Sequence, residues 1–216
     1  MLQSYWVALL DRILECQGRR MSLAEYFGNS AAVLESAGKC WSEDLASSAI
    51  LAVSKALRLG KALLVCGNGG SAADAMHITG ELVGRFLLER KALKAICLSS
   101  NPAVLTAWAN DYSYDTVFSR QVEAYGEAGG AILGLSTSGN SRNVVKAFEE
   151  ARLRGMTTIA LTGEGGGVLA PLSDYLFAVP SRSTPLIQQA HICLYHYLCQ
   201  GIEKDLATEC PTASAR

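Results

Sequence analysis

The chain has 216 residues, half of them hydrophobic, and a formal charge of −1 at pH 7. That length fits one sizeable core with a helical extension, and the balanced charge without a basic stripe argues against electrostatic nucleic-acid binding. No apolar run is long enough to cross a bilayer, and seven cysteines without a C-x-x-C pair form no disulfide framework or cysteine zinc site, so a reducing cytoplasm is the expected compartment.

Leu2, Trp6, Leu9, Leu10, Ile13 and Leu14 recur at helical spacing, which predicts an amphipathic helix over residues 2–16; acidic residues within that pattern do not suit a signal peptide. A second helical pattern runs from about Ser30 to Leu59 and is interrupted near Gly38. Residues 1–60 are therefore read as N-terminal helices of the same domain, whose apolar stripes serve an interface between subunits.

The stretch Lys61 to Arg85 reads as strand, glycine loop and helix. Ala62 to Cys66 is an unbroken apolar run, as in a strand covered on both faces. Gly67-Asn68-Gly69-Gly70 permits a sharp turn, Ser71 can cap the next helix, and N–H groups at that helix start suit an anionic or hydroxyl-rich ligand. His77 and Glu81 stand one turn apart on one face; by themselves they read first as a hydrogen-bonded helical pair. Gly67, Gly69 and Ala72 also fit the loose dinucleotide fingerprint, but the next strand, Lys94 to Leu98, ends in Ser99-Ser100 where that site needs an acidic residue.

Strands and helices then alternate. Pro102 to Ala109 is a short helix opened by Asn101, Asn110-Asp111 a polar turn, and Tyr114 to Tyr125 a helix. Ala131 to Ser136 is a strand, followed by Thr137-Ser138-Gly139-Asn140-Ser141 and a helix to about Arg154. Thr157 to Leu161 and Tyr175 to Val179 complete a doubly wound α/β fold with a five-stranded parallel sheet over residues 61–205. Ligands of such sheets gather at the carboxyl ends of the strands. There Ser136, Thr137, Ser138 and Ser141 precede a helix start, a density of hydroxyls suited to a phosphate without any lysine. The last helix, from about Thr184 to Lys204, carries Gln188, His191 and His196, with His191 read as a core histidine. Residues 206–216 lack apolar periodicity and are expected to be disordered.

The motifs CGNGGSAADAMHITGELVGR, AND, FSRQVEA, STSGNSRNVVKAF and GMTTIALTG together resemble the sugar isomerase (SIS) domain, most of all its phosphoheptose isomerase branch. The resemblance covers Lys61 to Glu203 closely and the N-terminal helices loosely. It implies a cytoplasmic homotetramer that binds zinc, one ion per subunit. The implied reaction interconverts sedoheptulose 7-phosphate and D-glycero-D-manno-heptose 7-phosphate through an enediol, at the entry to ADP-heptose for the lipopolysaccharide inner core. The implied partner is a small sugar phosphate, with no nucleic acid and no membrane.

Carried onto this sequence, Asn68, Gly69, Gly70, Ser71, Asn110, Asp111, Ser136, Thr137, Ser138, Ser141 and Gln188 hold the substrate, joined by Glu81. His77, Glu81, Gln188 and His196 are the metal candidates, and Glu81 with His196 the catalytic acid/base pair. A carboxylate and an imidazole can share the transfer of a proton between adjacent carbons near neutral pH. The branch's usual Arg-Ile-Gln-Glu reads Leu186-Ile187-Gln188-Gln189 here, two fewer charges beside the site, which leaves another sugar phosphate as an alternative substrate. A non-catalytic SIS relative that binds the replication initiator DnaA is the alternative from another class; it lacks the counterparts of Glu81 and His196, both present here.

Overall fold

The computed structural model describes residues 21–207; the helix expected over residues 2–16 and most of the expected tail lie outside them. Helix α1 (Leu23–Cys40) opens on Ser22, whose hydroxyl accepts from the Glu25 N–H at 3.2 Å while the Glu25 carboxylate accepts from the Ser22 N–H at 2.8 Å. Helix α2 (Glu43–Arg58) opens on Ser42, whose hydroxyl accepts from the Leu45 N–H. The break thus falls at Trp41-Ser42 and not at Gly38. A glycine inside a helix costs only about 1 kcal/mol relative to alanine. Trp41, by contrast, is extended and turned inward, its Nε1–H donating to the Ala178 carbonyl at 3.3 Å and its ring edge-on to Phe177.

The sheet contains β1 (Leu63–Gly67), β2 (Ala95–Cys97), β3 (Ala131–Ser136), β4 (Thr157–Thr162) and β5 (Tyr175–Ala178), all parallel, in the order β2-β1-β3-β4-β5. Side chains alternate between two helical layers. Leu63, Val65, Leu133, Leu135, Ile159, Leu161 and Phe177 pack with α2, α3 (Gly70–Val83) and α7 (Thr184–Ala207). Leu64, Cys66, Ile132 and Ala160 pack with α5 (Val117–Tyr125) and α6 (Arg142–Leu153) on the other face, with α4 (Pro102–Asp111) beside them. Burial of each large aliphatic side chain contributes about 1.5–3 kcal/mol, which is why continuous apolar runs hold the central strands. This is the doubly wound five-stranded parallel sheet expected from the sequence.

Other boundaries differ from expectation as well, and α1 begins at Leu23 where the sequence pattern starts near Ser30. Asn110 and Asp111 are the last residues of α4, not a turn. A single 3₁₀ turn, Tyr114–Thr116, precedes α5. Helix α7 continues to Ala207 because Leu206 still packs against the core. Among the described residues, no helix is long and apolar enough to cross a membrane.

Gly134 on β3 lets α6 approach the sheet. A Cβ there would lie 2.4 Å from Phe148 Cε2 and 2.8 Å from Val144 Cγ1. Gly134→Ala is therefore expected to destabilise the fold by about 1–3 kcal/mol through overpacking, read as a lower urea midpoint at constant slope. An unchanged midpoint would contradict the close approach.

Candidate functional site

The order of the sheet places its topological switch point between β1 and β3, whose neighbouring carboxyl ends carry the two loops singled out by their composition. At β1, Gly69 takes φ +57° and starts α3 with no side-chain cap. Ser71, expected to be that cap, lies buried in the first turn instead, because the left-handed glycine begins the helix earlier. At β3, Ser141 precedes α6, but its hydroxyl lies 2.8 Å from that of Ser136 and caps nothing. Elsewhere α1, α2 and α4 start on a side-chain cap and α5 does not. At the switch point neither Gly69 nor Ser141 caps its helix, and Asn143 Oδ1 takes only the Val144 N–H of α6, which leaves N–H groups there for an anion.

The two loops are tied together. Asn68 and Asn143 exchange reciprocal amide hydrogen bonds, both 2.8 Å, and the Tyr114 hydroxyl donates to Asn68 Oδ1 at 3.0 Å. The Ser138 hydroxyl accepts from the Asn140 N–H, and the Thr137 carbonyl from the Gly163 N–H. Ser138 is exposed, Ser136 buried and Thr137 between the two. Asn110 and Asp111 are exposed at the end of α4 and bond to each other.

Helices α3 and α7 run side by side in the same direction. Gln188 lies against Gly70, where a Cβ would be only 2.4 Å from its Nε2. Further along, His77, Glu81 and His196 each offer a ligand atom, all within 4.8 Å of one another. His77 Nε2 is 2.9 Å from Glu81 Oε1, and His77 Nδ1 is 2.8 Å from the Tyr195 hydroxyl. The imidazoles of His77 and His196 meet edge to face with centroids 5.0 Å apart. Of the four residues expected at the metal, three are thus brought together. Gln188 stands at the glycine loop, about two turns away along α7. Gln189 donates to the Tyr26 hydroxyl on α1, so this departure from the family pattern does not lie beside the cluster within the chain.

Below the cluster, Glu203 organises the chain leaving α3. Its Oε1 accepts from the Phe86 N–H at 3.0 Å, and its Oε2 from those of Leu87 and Leu88 at 2.6 and 2.9 Å. Arg90 pairs with it at 3.2 Å, both side chains being 1% exposed. The Arg90 guanidinium also donates to the carbonyls of Glu81, Gly84 and Lys91. This hook lays the Phe86 ring over His196, centroids 5.5 Å apart at 21°. Burial alone would raise the Glu203 carboxyl, but the N–H groups of Leu87, Phe86 and Leu88 and the Arg90 charge outweigh it and hold it below the ordinary glutamate value.

Asn143, Tyr114, Asp74, Tyr195 and Glu203 were not among the residues expected from sequence. Asp74 precedes His77 by three residues and shares its helix face, a spacing that could have revealed it. Tyr195 and Glu203 act across elements, where no local spacing points.

Residues 25–163 match the SIS domain family. A phosphoheptose isomerase from Crocosphaera subtropica is 51% identical over 154 residues, covering 71% of this chain and 79% of that relative. Two solved structures cover 84% of the chain. The phosphoheptose isomerase from Francisella tularensis aligns with a TM-score of 0.81 at 35% identity over 96% of its length. Phosphoheptose isomerase GmhA from Neisseria gonorrhoeae aligns at 0.79 and 40% identity over 97%.

Glu203→Ala strands the buried Arg90 charge and is expected to cost about 3–5 kcal/mol in urea unfolding. Because the folded carboxyl titrates below its ordinary value of 4.5, the stabilisation is full above that pH and is lost as pH falls through the folded value. The gap between wild type and variant should therefore narrow as pH falls below 4.5 and through the folded value; a constant gap would show that ionisation of Glu203 contributes nothing.

Proposed function

The chain belongs to the phosphoheptose isomerases of the SIS domain family, and we propose that it interconverts sedoheptulose 7-phosphate and D-glycero-D-manno-heptose 7-phosphate. The observation that carries this reading is the meeting of His77, Glu81 and His196 on the helix that leaves the glycine loop and on its neighbour. An acid/base set and an anion cradle are the two things an aldose–ketose isomerase of a phosphorylated sugar needs. Ser136, Thr137, Ser138 and Ser141, with the open start of α6, receive the phosphate. Asn68, Gly69, Gly70, Ser71 and Gln188, and the exposed Asn110 and Asp111, serve the sugar and its hydroxyls.

The donor set fits zinc. Two imidazoles and a carboxylate within 4.8 Å of one another are the nitrogen and oxygen donors zinc takes, and three protein ligands with one open position mark a catalytic site. We assign His77, Glu81 and His196 to one ion per subunit. Gln188, expected as a fourth donor, stays beside Gly70 about two turns away along α7, and the fourth position is left open. When bound, zinc supplies Lewis-acid polarisation of the carbonyl oxygen.

The isomerisation moves a carbonyl from C2 to C1. Glu81 takes a proton from C1 as the ring nitrogen of His196 not used for ligation gives one to the carbonyl oxygen on C2, which yields the enediol. A proton returned to C2 and one lost from the oxygen on C1 complete the aldose, so protons balance. Glu81 Oε1 faces His77, which leaves the second carboxylate oxygen for the proton. Phe86 over His196 excludes water from one face of the imidazole.

Leu23 and Phe27 on α1, Leu51 on α2 and Tyr197 on α7 are exposed apolar or aromatic surface. With it we propose a homotetramer in which residues 1–60 supply the interface. The cradle and the cluster lie about 10 Å apart along α3. Light scattering should give the mass of four chains, and a monomer would refute this.

Glu81→Gln is expected to lower kcat by at least about 10²–10⁴-fold while keeping the melting temperature, followed by NMR of sedoheptulose 7-phosphate conversion. Turnover near the wild-type rate would remove Glu81 from the role of base.

A further inference from the structure

We infer that Tyr195 and Asp74 are positioning residues that fix which nitrogen of His77 faces the metal, through a relay from Asp74 to the Tyr195 hydroxyl to His77 Nδ1. The inference rests on the metal reading above and goes beyond it to residues that do not touch the ion.

Both edges of the His77 ring are engaged. Nδ1 is 2.8 Å from the Tyr195 oxygen, and Nε2 is 2.9 Å from Glu81 Oε1. The Tyr195 hydroxyl in turn lies 3.5 Å from Asp74 Oδ1. Tyr195 is fully buried and Asp74 is 8% exposed. A neutral imidazole carries one proton, and ligation through Nε2 requires that this proton sit on Nδ1. There it needs an acceptor, and the Tyr195 oxygen is the group at hand. The phenol hydrogen must then point elsewhere, and Asp74 Oδ1 is where it can go. The loaded arrangement is Nδ1–H to phenol oxygen, and phenol O–H to carboxylate.

Without the ion the same atoms run the other way. The phenol donates to Nδ1, and Nε2–H donates to Glu81. The Tyr195 hydroxyl serves both directions because it is donor and acceptor at once. A phenol, whose ordinary pKa is near 10, is neutral at neutral pH and keeps both capacities. No net proton is gained or lost in the change; one moves between ring nitrogens and one hydroxyl rotates. The partner of a ligating histidine's second nitrogen typically governs metal affinity 10–100-fold.

A packing role for Tyr195 predicts something different, because its ring also lies edge-on to His77 and His196 at 5.4 and 4.9 Å. Tyr195→Phe keeps that ring and removes only the hydroxyl. Competition of the full-length protein with a chromophoric chelator for Zn²⁺ should show affinity about 10–100-fold weaker in Tyr195→Phe, with the melting temperature of the metal-free protein retained. Asp74→Asn should weaken binding in the same direction. Because Asp74 acts through the hydroxyl, adding Asp74→Asn to Tyr195→Phe should weaken it no further. Wild-type affinity in Tyr195→Phe, or additive losses in the double variant, overturns the relay and leaves the metal assignment standing. A wild-type protein that takes up no zinc overturns the metal assignment, and the relay falls with it. Should Tyr195→Phe fold poorly, Asp74→Asn alone decides, since it leaves the ring packing untouched.

Discussion

Helices α3 and α7 lie along each other in the same direction, and contacts at successive heights fix their mutual shift. At the top, Gln188 fits against Gly70 only because that residue has no Cβ. In the middle, Tyr195 and His196 meet Asp74 and His77. At the bottom, Glu203 gathers the N–H groups of residues 86–88. A slip of one residue in this packing would separate His77 from His196, because adjacent residues on a helix point about 100° apart. The candidate chemistry therefore depends on a helix register held at both ends, by a missing side chain at one and a buried carboxylate at the other.

The two ends of this seam use backbone N–H groups in opposite ways. At Glu203 the protein supplies its own anion, so the hook of residues 84–91 is closed on it. At the starts of α3 and α6 it supplies none, and the helix ends remain available to an external one. Asn68 and Asn143 hold those two starts at a fixed separation by bonding to each other, and Asn143 Oδ1 also accepts from the Val144 N–H in the first turn of α6 at 3.0 Å. Side chains of the type that cap helices elsewhere in this chain here brace the loops, which is how a polar, serine- and asparagine-rich surface stays ordered while its helix ends stay unfilled.

The strands were legible because parallel strands covered on both faces are unbroken apolar runs, and the ligand loops because glycines and hydroxyls concentrate at strand ends. His77 and Glu81 were legible as a pair from one-turn spacing on one helix, and the family from its motifs taken together. Local composition misled where backbone geometry decided: Gly38 looks like a break but sits within α1, and Ser71 looks like a cap but follows a left-handed Gly69. Tyr195 was illegible for a different reason. Its neighbour His196 drew the reading, while the hydroxyl's partners, His77 and Asp74, lie more than a hundred residues earlier in the chain.

His191 and His196 show how position on one helix sets the chemistry of one residue type. They lie about 140° apart around α7. His196 turns to α3, where Phe86 and His77 flank it. His191 turns to the sheet, fully buried, its Nε2–H donating to the Thr162 carbonyl at 3.1 Å while Nδ1 finds no partner among the described residues. Burial pushes its pKa down to about 4, with the carbonyl offsetting part of the shift. A histidine so depressed stabilises the fold fully above its ordinary value of 6.5 and loses that contribution as pH falls toward 4. Glu203, held below its ordinary 4.5, likewise loses its contribution on acidification, so α7 carries two acid-sensitive groups.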